Sequence, residues 1–151
     1  MRAREWLERV RWHARRIEPL TREVPALIEA YRDVLPWATS GNGSGSAQAH
    51  SDPTANQAYA RIDKLEELIE RKRAQLEVSE GIVGDCLRVL DAMEKELSER
   101  HATVIETYYI DQAQTWSEVA SDMGIHRDTV RSLRDSAFAW IEANSARFLL
   151  E

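Results

Sequence analysis

The 151-residue chain has one cysteine, four prolines, six glycines and two phenylalanines, and each scarcity excludes something. A single Cys86 allows no intrachain disulfide and suits the reducing cytoplasm. With few prolines and glycines, little interrupts long helices. No apolar run approaches the ~18 residues that cross a bilayer, so no membrane partner is expected. The start, MRAREWLERVRWHARRIE, is basic but interrupted by acids and has no apolar core segment, so no signal peptide is expected. His13, His50, His101 and His126 form no i,i+4 pair and lie near no cysteine cluster, which argues against zinc. The GNGSG run lacks the Lys-Ser/Thr of a phosphate-binding loop and the strand and helix that would frame it. Acidic runs such as Glu66-Glu67 read as solvated helix faces. With no nucleophilic triad either, the chain reads as a non-enzymatic protein without cofactors.

What is present suits a helix-rich protein, 43% hydrophobic and 30% charged, with a net charge of −6. That charge is uneven. Residues 1–39 hold eight arginines against six acids, residues 57–99 hold seven basic side chains against eleven acids, and residues 100–151 hold five arginines against eight acids.

Four stretches follow from composition and periodicity. In residues 1–37, Trp6, Val10, Ile17, Leu20, Leu27, Ile28, Tyr31 and Val34 recur at helical spacing. Pro19 and Pro25 predict a kink or break, and Pro36 predicts the end of the segment. Residues 38–56 are rich in Gly, Ser and Asn with almost no apolar bulk, the composition of a flexible linker or long loop. Residues 57–98 predict one long helix, in which Ile62, Ile69, Leu76, Val83, Leu90 and Leu97 fall every seven residues. The companion row contains Leu65, Cys86 and Met93 but also Lys72 and Ser79, so the seam is imperfect in its middle. It predicts either a coiled-coil dimer or the core face of an antiparallel helical hairpin, and Cys86 on it reads as a small buried hydrophobe.

Residues 99–151 carry the most specific pattern. A first helix from Ser98 or Glu99 to Tyr109 would bury Val104, Ile105 and Tyr108. Thr115 with Glu118 three residues later is a capping box that opens a second helix burying Trp116, Val119, Ala120 and Met123. Gly124 supplies the turn, where a positive φ is usually required. A third helix starts at Arg127, with His126 where an N-cap Ser or Thr is usual, and buries Val130, Leu133, Ala137, Phe138 and Ile141. Arg127, Asp128, Thr129, Arg131, Ser132 and Arg134 are then left on or beside its outer, leading part. This spacing is that of a helix-turn-helix, which places early residues of its last helix against base edges in the DNA major groove. Arg127 or Arg131 would pair with guanine and Asp128 would accept from cytosine. Arg134 is placed for a phosphate, and His126 for a cap or a phosphate.

The stretch TWSEVASDMGIHRDTVRSLRDSAFAWI resembles region 4 of bacterial sigma-70-type factors, the part that reads the promoter −35 element. Trp116-Ser117-Glu118-Val119-Ala120 and Gly124-Ile125 stand where that family has its x-x-Glu-Ile-Ala and its Gly-Ile/Val turn. Arg127, Asp128, Arg131 and Ser132 fall on its DNA-contacting positions. Three departures lie there or beside: His126 for the usual Ser/Thr cap, Asp128 for Glu and Ser132 for Gln. The first ~97 residues do not resemble a promoter-melting region. The whole layout resembles the small phage-encoded RinA- and ArpU-type activators of late genes.

The resemblance implies an all-α fold, a long helical hairpin or coiled-coil N-terminal part followed by a sigma-region-4-like helix-turn-helix. It implies a transcriptional regulator of phage or prophage origin in a bacterial cytoplasm, with double-stranded DNA as partner. The long helices would form a homodimer or contact host RNA polymerase. Two other readings compete: a small terminase subunit-like DNA-packaging protein, and a polymerase-binding protein with a degenerate helix-turn-helix.

Overall fold

The computed structural model describes residues 1–40 and 53–150, and every regular element among them is helical. Helix α1 spans Ala3–Ser40 and α2 spans Pro53–Glu96. The short α3, Glu99–Ile105, continues directly into a π-helical turn, Glu106–Ile110. Helices α4, Trp116–Met123, and α5, Arg127–Asn144, follow. The chain divides into two compact units, one made of residues 1–17 with 78–151 and the other of residues 18–77, and α1 and α2 each contribute to both.

In the first unit the leading turns of α1 pack on the second half of α2. Trp6, Leu7 and Val10 join Cys86, Val89, Leu90 and Met93 in one core, which also takes Ala102, Ile105 and Tyr109 and, from α5, Ala137 and Ile141. Ser79, almost fully buried, is hydrogen-bonded to Nδ1 of His13 at 2.9 Å. Burial, helped by Arg16 and Arg9, lowers the pKa of His13. Cys86 has no solvent exposure, and burial followed by the charge of Glu106 pushes its thiol up to about 12, so it packs as a hydrophobe.

In the second unit the same two helices run antiparallel, Glu23 pairing with Lys72 at 3.0 Å and the Tyr31 hydroxyl donating to Glu66 at 2.6 Å. Leu20, Val24, Ala58, Ile62 and Ile69 are buried in it among the described residues. The heptad row is therefore largely covered within the chain, Leu97 at its end excepted, and the two polar interruptions of the companion row have partners: Lys72 is paired with Glu23, and Ser79 with His13.

Two expectations for α1 change. The helix runs through Pro19 and Pro25 without a break, and it extends past Pro36 to Ser40. An interior proline costs about 3 kcal/mol, whereas fully burying a side chain such as Leu or Val returns about 1.5–3 kcal/mol. Leu20 and Val24, each beside one of the two prolines, are buried, while both prolines face solvent, so burial of the apolar face offsets a large part of what the prolines cost. Pro19 nevertheless lies next to the division between the units at Ile17 and Glu18. Of the linker expected over 38–56, residues 41–52, with His50, lie outside the described residues; the flanking ends are helical. Among the described residues, no helix is long and apolar enough to cross a membrane.

Candidate nucleic-acid interface

The helix-turn-helix is assembled by caps that its own residues supply. Ser98, in extended geometry, accepts from the backbone N–H of His101 at 3.3 Å and opens α3. Thr115 Oγ1 accepts from Glu118 N–H at 3.1 Å to open α4, as the capping box predicts. The reciprocal bond is shifted by one residue, since the Glu118 carboxylate takes the N–H of Gln114 at 2.8 Å. Gly124 ends α4 at φ +67°, and the next N–H, of Ile125, returns to Ala120 C=O at 3.0 Å. His126 then opens α5, its Nδ1 accepting from Asp128 N–H at 3.1 Å. An imidazole thus fills the role usual for Ser or Thr.

Behind these caps lies a small core of Val104, Ala113, Val119, Ala120 and Val130, with Met123, Ile125 and Leu133 packed at its edge. Ala120 is 4% exposed, where a larger side chain would hold α4 away from its neighbours. Tyr109, not Tyr108, is the buried tyrosine, which corrects the expectation for the first helix. The cause is the π turn, in which Asp111 N–H bonds Glu106 C=O five residues back. Such a turn carries one more residue than an α turn and rotates the following side chains. Tyr108, half-buried, stacks instead on Trp116, with ring centroids 3.9 Å apart and planes 10° from parallel.

A layer of cations and rings holds the pieces together. The Arg11 guanidinium lies 4.2 Å from the Tyr108 centroid, and that of Arg134 lies 5.2 Å from the centroid of Trp116. Arg11 also donates to the carbonyls of Tyr108 and, at 2.9 Å, of Ala113. It therefore satisfies backbone acceptors that the end of α3 and its π turn leave open. Gln112, at φ +67°, donates back from its side chain to Arg11 C=O at 3.2 Å and to Tyr109 C=O at 3.0 Å. Arg11 and Gln112 are positioning residues that the sequence reading missed. Their signal is a contact across about a hundred residues, which no local pattern carries.

The candidate contact residues separate into two groups. Arg127, Asp128, Thr129, Arg131 and Ser132 are exposed on the leading turns of α5, and His126 is exposed at its cap. Arg134 is only 24% exposed at its side chain, bonded to Asp135 at 3.0 Å as well as lying over Trp116. Among the described residues no cluster of three or more His, Cys, Asp or Glu side chains is disposed to hold a metal ion.

Residues 95–140 match the family Sigma-70, region 4. The helix-turn-helix is thus sigma-region-4-like, a DNA-binding type, and the match spans α3, the π turn, α4 and most of α5. No curated protein and no solved structure matches the chain. The first seventeen residues, which complete the core beneath this segment, lie outside the matched stretch.

Proposed function

We propose that this chain is a transcriptional regulator that reads promoter DNA with the leading turns of α5 in the major groove, and that it acts by binding, without a chemical step. The observation that carries this reading is the coincidence of the region-4 match with five neighbouring α5 side chains left open to solvent. Arg127 or Arg131 has the fork that pairs with guanine O6 and N7, and Asp128 accepts from the cytosine amino group. Ser132 follows Asp128 one helical turn on, Thr129 flanks them, and Arg134 and His126 lie beside this surface and meet phosphates. The long helical part joined to a region-4-like segment supports an origin in a phage or prophage, as in the RinA- and ArpU-type late-gene activators, with action in a bacterial cytoplasm. Host RNA polymerase is the second partner in this reading. A homodimer through α2 would use outward residues such as Tyr59, Val78 and Leu87, because most of the heptad row is already covered.

Footprinting of the full chain on late-promoter DNA tests the proposal. Arg127→Ala and Arg131→Ala are each expected to lose about 1–3 kcal/mol of discrimination at the base they read. Unchanged binding by both variants would refute the base-reading assignment. The excess of acids in residues 100–151 favours one other outcome, in which polymerase is retained in a pull-down and DNA affinity shows no salt dependence. A ring of many protomers in light scattering would point instead to a DNA-packaging role like that of a small terminase subunit.

A further inference from the structure

We propose that Arg15 of α1 binds a backbone phosphate, so that the DNA-binding surface continues from the helix-turn-helix onto the first helix, outside the region-4 match. This inference rests on the DNA-reading role proposed above and adds a contact to it.

Charge gives the first reason. The last 51 residues, which include α4 and α5, carry eight acids against four arginines, a poor balance for a polyanion. The first seventeen residues carry six arginines against two glutamates, and they belong to the same compact unit as the helix-turn-helix. Within that unit the cationic end of α1 therefore offsets the acidity of the reader.

Placement gives the second. Arg15 Nε reaches Gln112 Oε1 at 3.4 Å. Gln112 stands three residues before the Thr115 cap of α4, and its own side chain is held to Arg11 C=O. The segment Arg11 to Arg15 is thus fastened to the connection that leads into α4. In a docked helix-turn-helix, the helix preceding the recognition helix crosses the sugar–phosphate backbone. A guanidinium at the entrance to that helix lies beside the phosphates it crosses.

Availability gives the third. Arg11 is occupied by two carbonyls and the Tyr108 ring. Arg15 is exposed, and among the described residues no ion pair uses it. Its long hydrogen bond to a neutral amide is readily exchanged for a charge-assisted bond to phosphate. Such a contact adds affinity and orientation without base preference.

The test is fluorescence anisotropy of the full chain on a labelled mixed-sequence 30-bp duplex over a series of KCl concentrations. Arg15→Gln is expected to weaken binding on the order of tenfold at low salt and to lower the slope of log K against log salt by about 1. Arg15→Lys should restore most of that slope, which loss of a purely structural bond to Gln112 would not predict. Arg88→Gln removes the same charge from α2, where Arg88 pairs with Asp85, and should leave the slope unchanged. A wild-type slope for Arg15→Gln, with DNA still bound, would overturn the phosphate contact and leave the reader role standing. Equal losses for Arg15→Gln and Arg88→Gln would overturn it too, as an effect of net charge alone. If the wild-type chain shows no salt-dependent affinity for any duplex, both the contact and the reader role fall.

Discussion

The two compact units are built by the same pair of long helices, yet they are held together differently. In the unit of residues 1–17 and 78–151, α2 is closed off by apolar neighbours from Cys86 to Met93: Cys86 and Met93 have no exposure, Val89 has 1% and Leu90 has 4%, whereas Val83 and Leu97 on either side keep 9% and 37%. There α2 is covered both by α1 and by the helix-turn-helix. In the unit of residues 18–77, Ile62 and Ile69 keep 9% and 8% exposure, and the Glu23–Lys72 and Tyr31–Glu66 pairs bridge the helices from the side. A heptad row shows which face is apolar. How dry that face becomes depends on how many elements cover it, and so does the energy it returns.

The comparison can be broken at several points. Met93→Ala should have the largest effect, a loss of about 2–5 kcal/mol in urea melts, because it opens a cavity where several helices meet. Ile69→Ala should lose less, since a two-helix surface relaxes and admits water more readily. Equal losses would refute the contrast between the units. Gly124→Ala should follow, at about 1–2 kcal/mol, since φ is +67° and an added Cβ would meet nothing within 4 Å. The cost is then conformational, and hydrogen exchange should show it in α4 and α5 but not in residues 18–77.

A double-mutant cycle on Glu23→Gln and Lys72→Met should return a coupling of about 0.2–1 kcal/mol, typical of a pair open to solvent. A much larger coupling would make that unit ionic in character. The smallest effect is expected from His13. Its pKa is lowered in the folded chain, so the unfolded chain takes up the proton first as pH falls below about 6.5. The stability tied to a neutral His13 is complete above that value and declines as pH falls through the lowered folded-state pKa. His13→Gln should flatten this part of the stability–pH curve; an unchanged curve would remove His13 from the linkage.

Much of the helix-turn-helix can be read directly from the chain because its devices are local. Thr115 and Glu118 are three residues apart, Gly124 needs only its own φ, and His126 caps a residue two positions on. The apolar row of α2 is local in the same sense. What covers that row is not, because Trp6, Leu7 and Val10 meet Cys86 and Met93 only when the chain folds back. The prolines of α1 mislead for a related reason: their cost is written in the sequence, but the burial that offsets it is not. The π turn is hidden as well, since nothing local in ETYYI marks it and the Arg11 that takes the Tyr108 carbonyl is far away in sequence.

The sequence by itself therefore determined that the chain is helical, where α4 and α5 begin, and which α5 residues are candidates for base edges. Helix periodicity and capping act within a few residues and need no knowledge of the rest of the chain. Only the tertiary structure decided that most of the heptad row would be covered from within, that Tyr109 would be the buried ring, and that an arginine-rich first helix would stand against the reader. Those outcomes depend on surfaces that are far apart in sequence, and their energies exist only once the surfaces meet.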